Sequence, residues 1–153
     1  SCISGSTFCR NISDLSFLAA YTRLRILHLA YNPINDPAPL AHLTSLRMLN
    51  INNTGITDLS FTEDCTSLVL LLCSSNNITD ISPLSSHPSL FTLDLSFNMV
   101  SDLSPLTGLP VGILYLYTNL VSDLTPLLSL ESLFALDIRE NPLDENCITP
   151  AHL

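Results

Sequence analysis

The chain has no lysine, and charge of either sign is scarce: five arginines and fourteen acids make up only 12% of its 153 residues, about half the usual share. The net charge of −9 repels phosphate backbones and anionic lipid surfaces, which argues against nucleic acid as a partner. Long apolar runs are missing as well. The longest, Leu68 to Cys73, has six residues, far short of the roughly 20 that span a bilayer as a helix, so no membrane insertion is expected. Glycine is rare: Gly5, Gly55, Gly108 and Gly112 are scattered and form no phosphate-cradling loop. There is no GxSxG turn, no HExxH pair and no CxxC or Cys/His cluster. The usual signatures of a serine nucleophile or a zinc site are therefore lacking. The sequence offers neither a cofactor site nor a metal site, and we expect no enzyme.

What is present is leucine, serine, asparagine and threonine in a strict period. Six segments align: LRILHLAYNPIND from Leu24, LRMLNINNTGITD from Leu46, LVLLLCSSNNITD from Leu68, LFTLDLSFNMVSD from Leu90, VGILYLYTNLVSD from Val111 and LFALDIRENPLDE from Leu133. The steps between them are 22, 22, 22, 21 and 22 residues, the short one falling between Leu106 and Val111. Upstream, Ile12 to Leu18 matches the second half of a repeat whose first half has degenerated. This divides the chain into an N-terminal cap with a half-repeat (1–23), six repeats (24–145) and the C-terminal end of the array (146–153). The start at Ser1, without a methionine, reads as a mature, trimmed or excised piece.

The period has a physical reading. Each LxLx stretch alternates like a short strand with one face buried. The following Asn-x-Ile-x-Asp turns the chain, and Asp-Leu-Ser-Pro-Leu starts a short helical or 3₁₀ segment. A single unit cannot bury its own leucines, whereas stacked copies share one core behind a parallel sheet. The fold expected is an α/β solenoid with strands near 27–29, 49–51, 71–73, 93–95, 114–116 and 136–138. Asn32, Asn76, Asn98, Asn119 and Asn141, with Thr54 in the odd position, read as a structural ladder satisfying backbone groups of adjacent coils. Asp14, Asp36, Asp58, Asp80, Asp102 and Asp123 read as caps of the convex turns.

The sequence resembles the leucine-rich-repeat family over essentially its whole length. The likeness is to the short 22-residue kind found in bacterial internalins and in a group of eukaryotic phosphatase regulators. The signature LxxLxLxxNxIxDLxPL stands here as Leu90, Leu93, Leu95, Asn98, Val100, Asp102, Leu103, Pro105 and Leu106. Thr54, Cys73 and Phe61 depart from it, and Asn141-Pro142-Leu143 with Ile148 and Pro150 looks like a closing repeat. The resemblance implies a right-handed coil with its parallel sheet on the concave side.

In register, the solvent-facing sheet positions form columns, and the one from Ile26 through Met48, Leu70, Thr92 and Ile113 to Ala135 is almost wholly apolar. Such a patch normally marks an interaction surface, and aromatics are its usual anchors. The expected partner-binding residues are Tyr31, Leu72, Phe97, Tyr115 and Tyr117. The preferred function is a non-catalytic module recognising a protein or glycan through the concave face. The rival is a structural subunit of a filament or surface coat that self-assembles through solenoid ends or flanks, and further domains of the same chain could also be contacted. Asp94 and Asp137 share a column but stand two strands apart, too far for paired-carboxylate chemistry. His28, His42, His87 and His152 fall at unrelated repeat positions. Cys65 aligns with Leu43 and Leu109, and Cys73 with strand leucines, so both read as buried free thiols. Cys2 and Cys9 precede the first full repeat, where a disulfide would close the exposed core, and Cys147 lies past the last strand. Sequons at Asn11, Asn52 and Asn77 add to the terminal cysteines in placing the chain outside the cell or on its surface.

Overall fold

In the computed structural model, residues 12–143 are described. Among them six strands, β1 (Ile26–His28), β2 (Met48–Asn50), β3 (Leu70–Leu72), β4 (Thr92–Asp94), β5 (Ile113–Tyr115) and β6 (Ala135–Asp137), form one parallel sheet in chain order. The register is unbroken, Leu49 pairing with Leu27 and Leu71, and Leu114 with Leu93 and Leu136. Each strand begins and ends one residue earlier than its leucine alternation predicts. The ladder does not stop there, because the carbonyls at Asn50 and Leu72 still accept from Leu29 and Ile51 of the preceding coil.

Opposite the sheet lie 3₁₀ segments at Ser16–Ala20, Ala38–His42, Ser60–Thr62, Ser82–Ser86, Ser104–Leu106 and Thr125–Ser129. Proline near the start of four of them suits a position with no intrahelical N–H partner. The aspartate ladder caps these segments from one residue further out than the N-cap. Asp58, Asp80 and Asp102 each accept, at 2.8 Å, the backbone N–H two residues on. Ser60, Ser82 and Ser104 return their hydroxyls to the second carboxylate oxygen. For Asp14 and Asp80 these bonds hold the carboxyl below its ordinary pKa.

The core is one column of leucines per repeat position, with Leu49, Leu71, Leu93 and Leu114 fully enclosed between coils. Leu103, just before the 3₁₀ segment of the same coil, is enclosed almost as fully as Leu93. The asparagines stitch one coil to the next. Asn98 donates to Leu95 in its own coil and Cys73 in the preceding one, and accepts from Ile78 N–H at 2.9 Å. Thr54 makes the own-coil bond to Ile51 through its hydroxyl, but its backbone carbonyl, not its side chain, accepts from Ile34.

Each coil leaves the sheet through one left-handed residue. Tyr31, Asn53, Ser75, Phe97, Thr118 and Glu140 have φ between +52° and +62°, a region that costs non-glycine residues roughly 1 kcal/mol or more. The 21-residue step is closed by Gly108 at φ +73°. Cys65 and Cys73 are buried free thiols as expected. Cys2, Cys9 and Cys147 lie outside the described residues.

Among the described histidines, His87 alone is a core residue. It occupies the convex core column of Leu43, Cys65 and Leu109, fully enclosed, with one ring nitrogen 3.1 Å from the Leu84 carbonyl and the other 3.0 Å from that of Thr62. Among the described residues no helix is long and apolar enough to cross a membrane.

Candidate functional site

The sheet positions expected to bind fall into one compact group and one outlier. Phe97 leaves β4 and is 49% exposed, while Tyr117, two residues beyond β5, is half-buried. Their rings meet edge to face at 4.9 Å and 89°, a geometry the ring quadrupoles favour. Tyr115, the last residue of β5, is 39% exposed and lies in register with Asp94 and Asp137. Leu72 shares that column on β3, two strand spacings or about 10 Å away, and is half-buried. Tyr31 is 67% exposed but three coils from Phe97, about 14 Å along the array. It stands apart from the others.

Tyr117 does not simply project into solvent. Arg139 lies over its ring, 5.2 Å from the centroid, and the same guanidinium donates to both oxygens of Asp137 at 2.9 and 2.7 Å. The arginine holds the Asp137 carboxyl below its ordinary pKa, and the carboxylate in turn raises Arg139. Phe97, Tyr117, Arg139 and Asp137 thus form one connected ledge across coils 4 to 6. Met99 and Leu120, two and three residues beyond Phe97 and Tyr117 in the chain, are also exposed apolar side chains. The first apolar column is half-buried from Met48 onward, with only Ile26 standing well out. It contributes less open surface than its composition predicts.

Sequence reasoning missed Arg139 as a partner of Tyr117, and it missed the position just before each strand. That row reads Arg25, Arg47, Val69, Phe91, Gly112 and Phe134, and the register holds the signal one residue upstream of the first column. The sequons are placed differently from one another. Asn77 is exposed, whereas the side-chain carbonyl of Asn52 accepts from Ser74 N–H at 2.7 Å and its sequon hydroxyl, on Thr54, is buried in the ladder. Asn11 lies outside the described residues. No group of three or more His, Cys, Asp or Glu side chains able to hold a metal occurs among the described residues.

A parallel one-strand-per-coil sheet backed by 3₁₀ turns, with an asparagine ladder between them, defines a leucine-rich-repeat solenoid. The family model described as Leucine Rich repeats (2 copies) matches residues 22–63, 44–86 and 66–108, more than half of the chain. The chain belongs to the leucine-rich-repeat family. Among solved structures it is similar to an internalin (inlF) from Listeria monocytogenes, at 33% identity and a TM-score of 0.88, over 90% of this chain and 41% of that one. Internalin C2 of the same organism matches at 33% identity and TM-score 0.86, over 88% of this chain and 60% of that one. The chain therefore spans about two fifths to three fifths of these internalins. The plant peptide hormone receptor RGFR1, in complex with RGF2, matches at 25% identity and TM-score 0.75, over 88% of this chain and 23% of that one. No curated protein sequence matches significantly. Leucine-rich repeats are generally non-catalytic, protein-binding modules.

Proposed function

We propose that this chain is a non-catalytic recognition module that binds a protein partner through the half of its sheet face formed by coils 4 to 6. The observation that carries the reading is the ledge of Phe97, Tyr117 and Arg139 beside Tyr115. Folding does not require these groups on the open face, because Leu93, Leu114 and Leu116 already fill the core behind them. Aromatic and arginine side chains held in preset geometry anchor interfaces at low entropic cost. Leu72 lies at the margin of that footprint and Tyr31 outside it. A protein suits the apolar ledge better than a glycan does.

The reading extends to location. An exposed sequon at Asn77 and the absence of lysine support a chain that works outside the cell or on its surface, as a glycoprotein. Asn11 and Asn52 are further sequons of the same proposal, and Cys2 with Cys9 its disulfide. Intact mass before and after enzymatic deglycosylation, on protein from a secreting host, tests this. A glycan at Asn77 and two fewer titratable thiols than cysteines are expected, and an unmodified chain with every thiol free overturns it.

The binding experiment is capture of soluble partners by the immobilised chain, compared with Phe97→Ala and with Tyr115→Ala/Tyr117→Ala. Loss of the anchors is expected to weaken capture by about 1 to 3 kcal/mol with the denaturation midpoint of Tyr115→Ala unchanged. If capture survives all three changes while substitutions at the terminal coils abolish it, with a matching loss of self-association on sizing, the chain is a structural subunit instead.

A further inference from the structure

We propose that the leading edge of the sheet is a second docking strip, separate from the aromatic ledge, and that it takes an extended protein segment that is acidic at one end and apolar at the other. The strip is the row just before the strands. Its backbone is continuous: Arg47 N–H donates to the Arg25 carbonyl at 2.8 Å, Val69 to Arg47, Phe91 to Val69 and Gly112 to Phe91 at 2.9 Å, and Phe134 to Gly112 at 3.0 Å. At roughly 4.8 Å per step the row is about 24 Å long.

Its two ends differ in chemistry. Arg25 and Arg47, with Arg23 beside them, are exposed and are three of the five cations in a chain of net charge −9. With fourteen acids available, internal neutralisation would be the default, and Arg139 shows it by pairing with Asp137. Yet among the described residues Arg23, Arg25 and Arg47 make no ion pair and no side-chain hydrogen bond. The reason is placement. The sheet stretches 23–33, 45–55 and 67–77 contain no acid at all, whereas Asp94, Asp137 and Glu140 sit on the later coils. The sheet side is therefore positive at its first two coils and negative towards its last.

At the far end Phe91 and Phe134 lie 6.0 Å apart at 41° across Gly112. A Cβ on that glycine would fall 2.5 Å from Phe91 Cζ, so the missing side chain is what lets the two rings close over the edge. Phe134 remains 71% exposed. A uniform polyanion would meet repulsion from the fourth coil on, where Asp94, Asp137 and Glu140 lie. A segment with carboxylates over the arginines and apolar side chains over the rings meets complementary groups along the whole row.

The test uses a fluorescent synthetic peptide of about a dozen residues, glutamates followed by leucine and phenylalanine, against the intact chain by anisotropy. Its scrambled sequence and a sulfated oligosaccharide serve as comparators. Binding of the peptide over its scramble is expected. It should weaken about tenfold in Arg25→Ser/Arg47→Ser, weaken also in Phe134→Ser, and fall as salt rises from about 0.1 M to about 1 M, where the screening length drops from about 10 Å to about 3 Å. Tyr115→Ala should leave it unchanged, so the strip and the ledge can fail independently. Equal binding by the arginine variant, tighter binding of the oligosaccharide, or arginine-dependent self-association on sizing would each overturn the proposal.

Discussion

Single residues in this fold are chosen against the coil they belong to, and the exceptions are informative. Thr118 is β-branched yet sits at φ +55°, where its branched Cβ crowds the backbone. Thr118→Asn, which tolerates that conformation, is expected to raise the unfolding free energy by about 0.5 to 1 kcal/mol, and Thr118→Val to bring no gain. Denaturant titration of the pair checks it. Thr54 lacks the second arm of the ladder asparagines, so Thr54→Asn should add about 0.5 to 1.5 kcal/mol by reaching the preceding coil as Asn98 does. His87 makes stability depend on pH. Burial pushes its imidazole pKa down from 6.5, only partly opposed by the carbonyls of Leu84 and Thr62. The folded ring therefore binds fewer protons than the unfolded one. Its contribution is whole above about pH 6.5 and is lost as pH falls below it. In His87→Leu, which matches Leu43 and Leu109 of the same column, that part of the slope should vanish; an unchanged slope would sink the assignment. Burial also lifts the Cys65 thiol to about 11 and drives Cys73 further in the same direction. Neither thiol should react with alkylating reagent near neutral pH until the chain unfolds.

Between coils, the unit of structure is the strand, ladder residue, aspartate and 3₁₀ turn acting together. Leu93 and Leu103 belong to opposite walls of the same coil, and both are enclosed. Their replacement by alanine should cost comparable amounts, about 2 to 5 kcal/mol each, and a difference above about 2 kcal/mol in chemical denaturation would show that one wall collapses to fill its cavity. The short fourth connection depends on Gly108, which has a φ of +73° and open space where a Cβ would go. The penalty of Gly108→Ala is thus conformational and not steric, on the order of 1 kcal/mol.

Across the described residues, stability is a sum over neighbouring coils. Leu136 of β6 is 41% exposed, against full burial of Leu93 and Leu114 in the same column. Backbone amide exchange should therefore be slowest at β3 to β5 and faster at β6; uniform protection across the six strands would contradict the nearest-neighbour picture. The same one-dimensional layout separates chemistry along the sheet side, with the unpaired arginines Arg23, Arg25 and Arg47 at the first two coils and Asp94, Asp137 and Glu140 at the later ones.

The sequence by itself determined the architecture. A 22-residue period of leucines with one asparagine and one aspartate per unit admits few other ways to bury its apolar face, and so strand order, register, both ladders and the free thiols were legible in it. The tertiary structure decided what lies beside what. The capture of Tyr117 by Phe97 and Arg139, the isolation of Tyr31, the half-covered first column and the burial of His87 depend on side-chain directions and on the left-handed exit of each coil. Periodicity does not encode these. Gly112 shows the difference most plainly: in the sequence it is one of four scattered glycines, and only stacking reveals that two phenylalanines, 43 residues apart by their numbers 91 and 134, close over it.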